Sequence, residues 1–291
     1  MNNQNLAEEH YSRADVQREI ADFCAGRWVA AHCVNEKGEL VFRRYFRGKP
    51  LKIRNVDDFQ ELLRKLNFQV RSLYASANKY RSVNTEGEVS TLLNVIRCIP
   101  TWDVDSQLNH WRETIKIVKH IVEFLQNEGV KKSVYMKWSG NGCHVHIHDE
   151  AFSENVLNKA HPLDLAYAIV EYVNLHVMPK ISENLTLRSV RVENRMDAGR
   201  VFTCPLSLHR KLDVVCVCFK PDEIDQFSPE WINPLNFRHN SEWRSFQKGE
   251  ADNLAIKAYG MVGGYPHHSK SGRRPKIKRL DQLIDEWLRK F

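Results

Sequence analysis

Between Cys98 and Asn194 the hydrophobic pattern switches repeatedly between period two and period 3.6, and the order of those switches leaves few folds open. "CIPTWDVD" (98–105) alternates as a strand. In "SQLNHWRETIKIVKHIVEFLQNEG" the apolar Trp111, Ile115, Val118, Val122 and Leu125 recur at helical spacing, and Gly129 closes the helix. "KSVYMKWSG" and "CHVHIHD" read as two strands around the tight turn "SGNG", and "DLAYAIVEYVNLHVMP" as a helix stopped before Pro179. "LRSVRVEN" supplies a last strand. The order β-α-β-β-α-β is that of a ferredoxin-like, RRM-like split unit. Its first and last strands lie side by side, so residues on them converge.

Upstream, "SRADVQREIADFCAGR" reads as a helix with Ser12 or Asp15 as N-cap. The strands "WVAAHCV" and "ELVFRRYF" follow, joined by "NEKG", and then the helix "VDDFQELLRKLN" and the strand "VRSLYASANKY". Downstream, "GRVFTCPLSLHRKLDVVCVCF" suggests a hairpin, "DEIDQFSPEWINPLNF" a Pro-punctuated loop, and "RLDQLIDEWLRKF" a short amphipathic helix. The fold class is therefore α+β. An N-terminal α/β lobe (1–95) packs on a split β-α-β-β-α-β core (96–225), followed by a basic C-terminal extension (226–291).

The formal charge of +7 is concentrated. Residues 266–291 hold eight Lys/Arg against three acids, and 43–54 hold six Lys/Arg beside aromatics. Two such clusters suit a phosphate-rich partner. Seven cysteines without a C-x-x-C pair give no disulfide framework and no zinc cluster. The polar N-terminus lacks an apolar signal core, and no run is long enough to span a membrane, so the expected place is the cytoplasm or nucleoid.

Asp103 and Asp105 sit one residue apart in an otherwise apolar strand, on one face, roughly 6.5–7 Å apart at Cα. Two carboxylates so placed repel and call for a cation between them. Glu193 lies on the last strand, on the face opposite Val190 and Val192, and joins them; Asp197 and Asp213 are its rivals. Three carboxylates in a basic surround suit a two-metal phosphoryl-transfer site with Mg²⁺ or Mn²⁺. "WSGNGCHVHIH" adds a turn (Ser139, Gly140, Asn141) whose backbone can approach an anion, with His144, His146 and His148 on the strand after it. In "CPLSLHRK", Ser207, His209 and Lys211 alternate, as on one strand face, and form a second set of phosphate contacts.

Together "DVD" (103–105), "SGNGCH" (139–144), "VRVE" (190–193) and "GRVFTCPLSLHRK" (199–211) resemble the motifs of the archaeo-eukaryotic primase superfamily, especially its catalytic small subunit. The resemblance spans roughly residues 95–220 and implies the primase fold and DNA-templated nucleotidyl transfer from an NTP or dNTP. It implies Asp103, Asp105 and Glu193 as metal ligands, Ser139, His144 and His209 as phosphate contacts, and Arg43, Arg44, Arg200 and Lys211 as further triphosphate or template contacts. A primase large subunit or a helicase is an implied partner. The chain departs from the family pattern in a glycine turn one residue shorter, in Asn141, in Thr203 before the cysteine–proline pair, in a glutamate as third acid, and in having no zinc-binding cysteines. Two rival readings use the same residues. In a replication-initiator or relaxase endonuclease, "HVHIH" binds one metal and Tyr167 or Tyr172 attacks DNA. In a non-catalytic nucleic-acid-binding module, the acids have no task.

Overall fold

The computed structural model describes residues 3–182 and 191–266. The basic stretch and the amphipathic helix read at 267–291, like Val190, lie outside the described residues. Two five-stranded antiparallel sheets, a two-stranded β3–β4 ribbon and their flanking helices are built from elements in the order α1 (Asn3–Ser12), α2 (Ala14–Cys24), β1 (Arg27–Val34), β2 (Leu40–Arg43), β3 (Tyr45–Phe46), β4 (Lys49–Pro50), α3 (Val56–Lys65), β5 (Val70–Tyr80) and α4 (Glu86–Ser90). Then come β6 (Val95–Cys98), β7 (Thr101–Asp105), α5 (Trp111–Asn127), β8 (Val134–Trp138), β9 (Cys143–Ile147), α6 (Glu154–Leu157) and α7 (Pro162–Ser182). The chain ends with β10 (Arg191–Glu193), β11 (Val201–Thr203), β12 (Val217–Phe219) and α8 (Asp252–Val262).

The first sheet runs β11-β5-β1-β2 with β6 also on β5; the second runs β10-β7-β9-β8-β12. In the second sheet the pleat sorts side chains by chemistry. Trp102, Val104, Met136, Trp138, Cys143, Val145 and Ile147 are buried in the main core with the apolar residues of α5 and α7. The alternate positions carry Thr101, Asp103, Asp105, Tyr135, Lys137, His144 and His146. That polar face is turned toward the first sheet. Lys137 Nζ lies 4.0 Å from the Phe23 ring centroid and donates to the Thr203 carbonyl at 2.8 Å, while His144 and His146 pack on Phe202. Ion pairs pin the sheets at one end: the buried Arg27 to Asp149 at 2.6 Å, and the partly exposed pairs of Lys79 and Arg97 to Glu150 at 3.1 and 3.2 Å.

The chain crosses between the sheets three times. It passes from β6 into β7 through Ile99 and Pro100, from β10 into β11, and from β11 into β12. The first sheet therefore takes β6 and β11 from beyond residue 95, where the sequence places the end of the N-terminal lobe.

Several sequence expectations are corrected. The hairpin expected at 199–219 is short and irregular: its arms are joined near the turn by Leu206 N to Cys216 O, Cys216 N to Ser207 O and His209 N to Val214 O, while the outer strands part, β11 pairing with β5 and β12 with β8. Leu206 takes a positive φ of 57°, which stops a strand before Ser207. Helix α7 does not stop at Pro179 but continues to Ser182; Leu175, whose carbonyl loses its amide partner there, is 53% exposed. The polar N-terminus forms α1, held by buried Ala7, His10 and Tyr11, and α2 starts after Arg13 with no side-chain cap. Helix α8 was not anticipated. No helix among the described residues is long and apolar enough to cross a membrane.

Candidate active site

Strand register assembles the site. Asp103 of β7 faces Glu193 of β10 on one side and His144 of β9 on the other, and His144 in turn faces Lys137 of β8. His144 Nε2 lies 3.2 Å from Asp103 Oδ1. Asp105, two residues on, shares the face and is half exposed. The three acids converge on one guanidinium. Arg195 places Nε 2.8 Å from Glu193 Oε2, Nη2 2.9 Å from Asp105 Oδ2 and Nη1 3.5 Å from Asp103 Oδ2.

The electrostatics separate the two aspartates. Burial works against ionising Asp103, but His144, Arg195 and Arg200 outweigh it and hold the carboxyl below its ordinary range. Asp105 is pushed up by burial and by the neighbouring Asp103 charge, with Arg195 and His144 only partly opposing. Arg195 itself is raised, because Glu193, Asp105 and Asp103 overcome its own burial.

The donor set is hard oxygen, which suits Mg²⁺ or Mn²⁺ better than zinc. Among the described residues, however, no three His, Cys, Asp or Glu side chains stand arranged around a metal position. The acids present the right chemistry but are closed on Arg195. The residues fit a divalent ion in their donor chemistry, and Arg195 occupies the place between them.

The "SGNG" turn sits beside Asp105. Ser139 N donates to Gly142 O at 2.9 Å, Trp138 Nε1 to Gly140 O at 2.8 Å, and Ser106 Oγ to Asn141 O at 2.9 Å. Two glycines are required here. Gly140 has φ +127° and lies so close to His209 that a Cβ would stand 2.7 Å from its Cδ2; at Gly142 a Cβ would meet Val104 O at 2.5 Å. His209 is thus brought against the turn from the other sheet's side. Its Nδ1 accepts from the backbone N–H groups of Lys211 and Leu212 at 3.3 and 3.0 Å, which leaves the ring proton on Nε2. Burial, with Arg210, Arg71, Lys211 and His32 nearby, lowers its pKa to about 4.

Other residues singled out in the sequence have different surroundings. Ser207 is fully buried, accepts from Leu73 N at 2.7 Å and bonds Tyr11 Oη at 3.3 Å; it does not share a strand face with His209 and Lys211. Arg44 lies 3.3 Å over the Trp28 ring and donates to Gly199 O, while Arg43 and Lys211 are exposed. Arg200 donates to Arg195 O at 2.7 Å. Asp197 accepts from Gly199 N and Asp213 pairs with Arg71 at 2.7 Å, so neither stands with Asp103 as Glu193 does. His146 is buried against Thr101, and His148 caps the turn after β9. Tyr172 packs on Phe124 and His176, and Tyr167 on Tyr265, all in the helical layer rather than beside the histidines.

Sequence reasoning missed two features. One is Arg195, two residues past Glu193 in the loop that follows β10. The other is an aromatic platform on three adjacent strands of the first sheet. His32 lies 5.0 Å from Phe42 and 5.4 Å from Tyr74 between ring centroids, with His32 Nδ1 3.1 Å from Tyr74 Oη. Phe42 is 46% exposed. Further along these strands, Val34, Leu40 and Val70 line a groove of about 710 Å³ with Arg71, Arg210 and Lys211. Alternation placed these rings on strands, but only the register brings them together.

No protein-family model matches the chain, and no curated protein does. Solved structures do. One is the polymerase domain of Mycobacterium tuberculosis Ligase D in complex with DNA, at a TM-score of 0.54 and 10% identity, over 90% of this chain and 89% of that one. The chain is therefore similar in fold to a polymerase domain.

Proposed function

We propose that this chain is a divalent-metal-dependent nucleotidyltransferase of the primase–polymerase kind, adding nucleotides from an NTP or dNTP on a single-stranded DNA template. The observation that carries the reading is the register that sets Glu193, Asp103 and His144 side by side with Asp105, across from a glycine turn packed on His209. The polymerase-like fold, and a structural neighbour in complex with DNA, agree with it.

Mg²⁺ or Mn²⁺ held by Asp103, Asp105 and Glu193 would acidify the attacking 3′-hydroxyl and neutralise the leaving pyrophosphate. The chain's own residues do the rest. His144 holds Asp103 Oδ1, which leaves Oδ2 directed at the neighbouring acids. His209, seated against Gly140 where a side chain would collide with it, would offer an Nε2–H donor at the turn, and Ser139 would add a hydroxyl. Arg210 and Lys211 add positive charge at the mouth, and His32, Phe42 and Tyr74 offer a face on which a base stacks. Primer initiation, and a large subunit or helicase as partner, belong to the same proposal, as does a place of action on the nucleoid.

The test is nucleotide incorporation on primed and unprimed single-stranded templates with Mg²⁺ or Mn²⁺, comparing wild type with Asp103→Asn and Asp105→Asn. Metal-dependent incorporation that both substitutions abolish is the expected result, and the unprimed template separates priming from extension. Incorporation that survives both substitutions, or is absent under every condition, refutes the proposal.

A further inference from the structure

We propose that Arg195 is a gate for the metal site: its guanidinium and the divalent ions compete for the same three carboxylate oxygens. The inference rests on the metal-dependent reading above. All three guanidinium nitrogens are committed, one to each acid, at 2.8, 2.9 and 3.5 Å. Asp103 Oδ1 already faces His144, so the oxygen Asp103 has left for an ion is Oδ2, and that oxygen, like Glu193 Oε2 and Asp105 Oδ2, is engaged by Arg195.

Charge arithmetic decides which cation stays. Three carboxylates carry −3, and one arginine offsets a third of that. Two divalent ions bring +4 and overcompensate by themselves, so a guanidinium kept among them would be repelled at contact distance. In the absence of metal the arginine has the opposite value, because the acids repel one another and its charge, within 2.8–3.5 Å of all three, offsets that repulsion.

The backbone is built for such an exchange. Asn194 Nδ2 donates to Glu171 Oε2 at 3.0 Å and to Tyr167 O at 3.1 Å, and its Oδ1 accepts from Met196 N. Met196 is buried, and the Arg195 carbonyl accepts from Arg200 Nε. Residue 195 is thus fixed at its main chain, while its side chain, held only by the three acids, is one-third exposed to solvent. Because arginine stays charged throughout the accessible pH range, the competition acts by displacement and not by deprotonation.

The experiment is direct Mn²⁺ binding, read from the electron paramagnetic resonance signal of free Mn²⁺, for wild type, Arg195→Ala, Arg195→Lys and Asp103→Asn. Part-exposed ion pairs each hold their partners by a factor of a few, so removing three should tighten Mn²⁺ binding by about ten-fold in Arg195→Ala. Arg195→Lys keeps the charge but cannot reach three acids, and should fall between. Thermal melts without metal check folding: Arg195→Ala should melt below wild type, and Mn²⁺ should restore it. Equal or weaker Mn²⁺ binding by Arg195→Ala, beside wild-type binding that Asp103→Asn abolishes, overturns the gate and leaves the metal reading standing. If no variant binds Mn²⁺ through Asp103, both fall.

Discussion

His209 should titrate near pH 4, and the folded protein should lose stability as pH falls because of it. Its pKa is lowered from 6.5 to about 4 by burial and by Arg210, Arg71, Lys211 and His32. The unfolded chain takes up this proton near pH 6.5 and the folded chain only near 4. Between those values the unfolded state binds more protons, so stability falls as pH drops through that window and is fully present above it. At pH 4.5 the linkage relation gives a ceiling of about 2.5 kcal/mol. The ring is partly exposed, and solvent screening reduces that to about 1–1.5 kcal/mol. Protonation also turns Nδ1 into a donor facing the two backbone N–H groups it now accepts from. Urea denaturation at pH 7.5 and 4.5, for wild type and His209→Asn, isolates the contribution. Asparagine puts a non-titrating acceptor near the Nδ1 position, and the other lowered histidines cancel in the difference. A wild-type pH loss exceeding that of His209→Asn by about 1 kcal/mol or more is expected. Equal losses, or an NMR titration of His209 near 6.5, would refute the reasoning.

Ser207→Ala should cost about 1–3 kcal/mol in urea unfolding, because it strips a buried partner from Leu73 N and Tyr11, while leaving nucleotide affinity within about two-fold. A large affinity loss with unchanged stability would return Ser207 to the phosphate contacts. Gly142→Ala forces a Cβ against Val104 O and should destabilise by about 1–3 kcal/mol, whereas Gly260→Ala in α8, with nothing nearby, should be neutral or stabilising. Equal unfolding midpoints for the two variants would show that the turn does not press on β7.

How much of this was legible follows from where each residue lies. Asp103, Glu193 and His144 are on strands, so period-two alternation gave their faces and the order of elements gave their neighbours. "SLHRK" has the same alternation, yet it is no strand: Leu206 turns left-handed and the Ser207 hydroxyl is drawn to Tyr11 of α1. A local pattern carries no sign of a partner about 196 residues away. Arg195 was missed for a related reason. Nothing in a loop's composition says which way a side chain points, and only the anchoring of Asn194 to α7 turns it toward the acids. Helix α1 has only Leu6, Ala7 and Tyr11 as apolar residues, too few to stand out in a polar terminus.

The interleaving of the two sheets has a consequence for how the chain is made. Strand β5 must wait for β11, since Tyr74 pairs with Thr203 and Ser76 with Val201. A ribosome that has released the first hundred residues has therefore released a sheet with one flank open, exposing unpaired backbone groups. Synthesis runs at about 5–20 residues per second, so that edge stays bare for roughly 5–20 seconds before its partner emerges. The nascent chain, not the finished protein, is then the form in which this molecule is most exposed to aggregation.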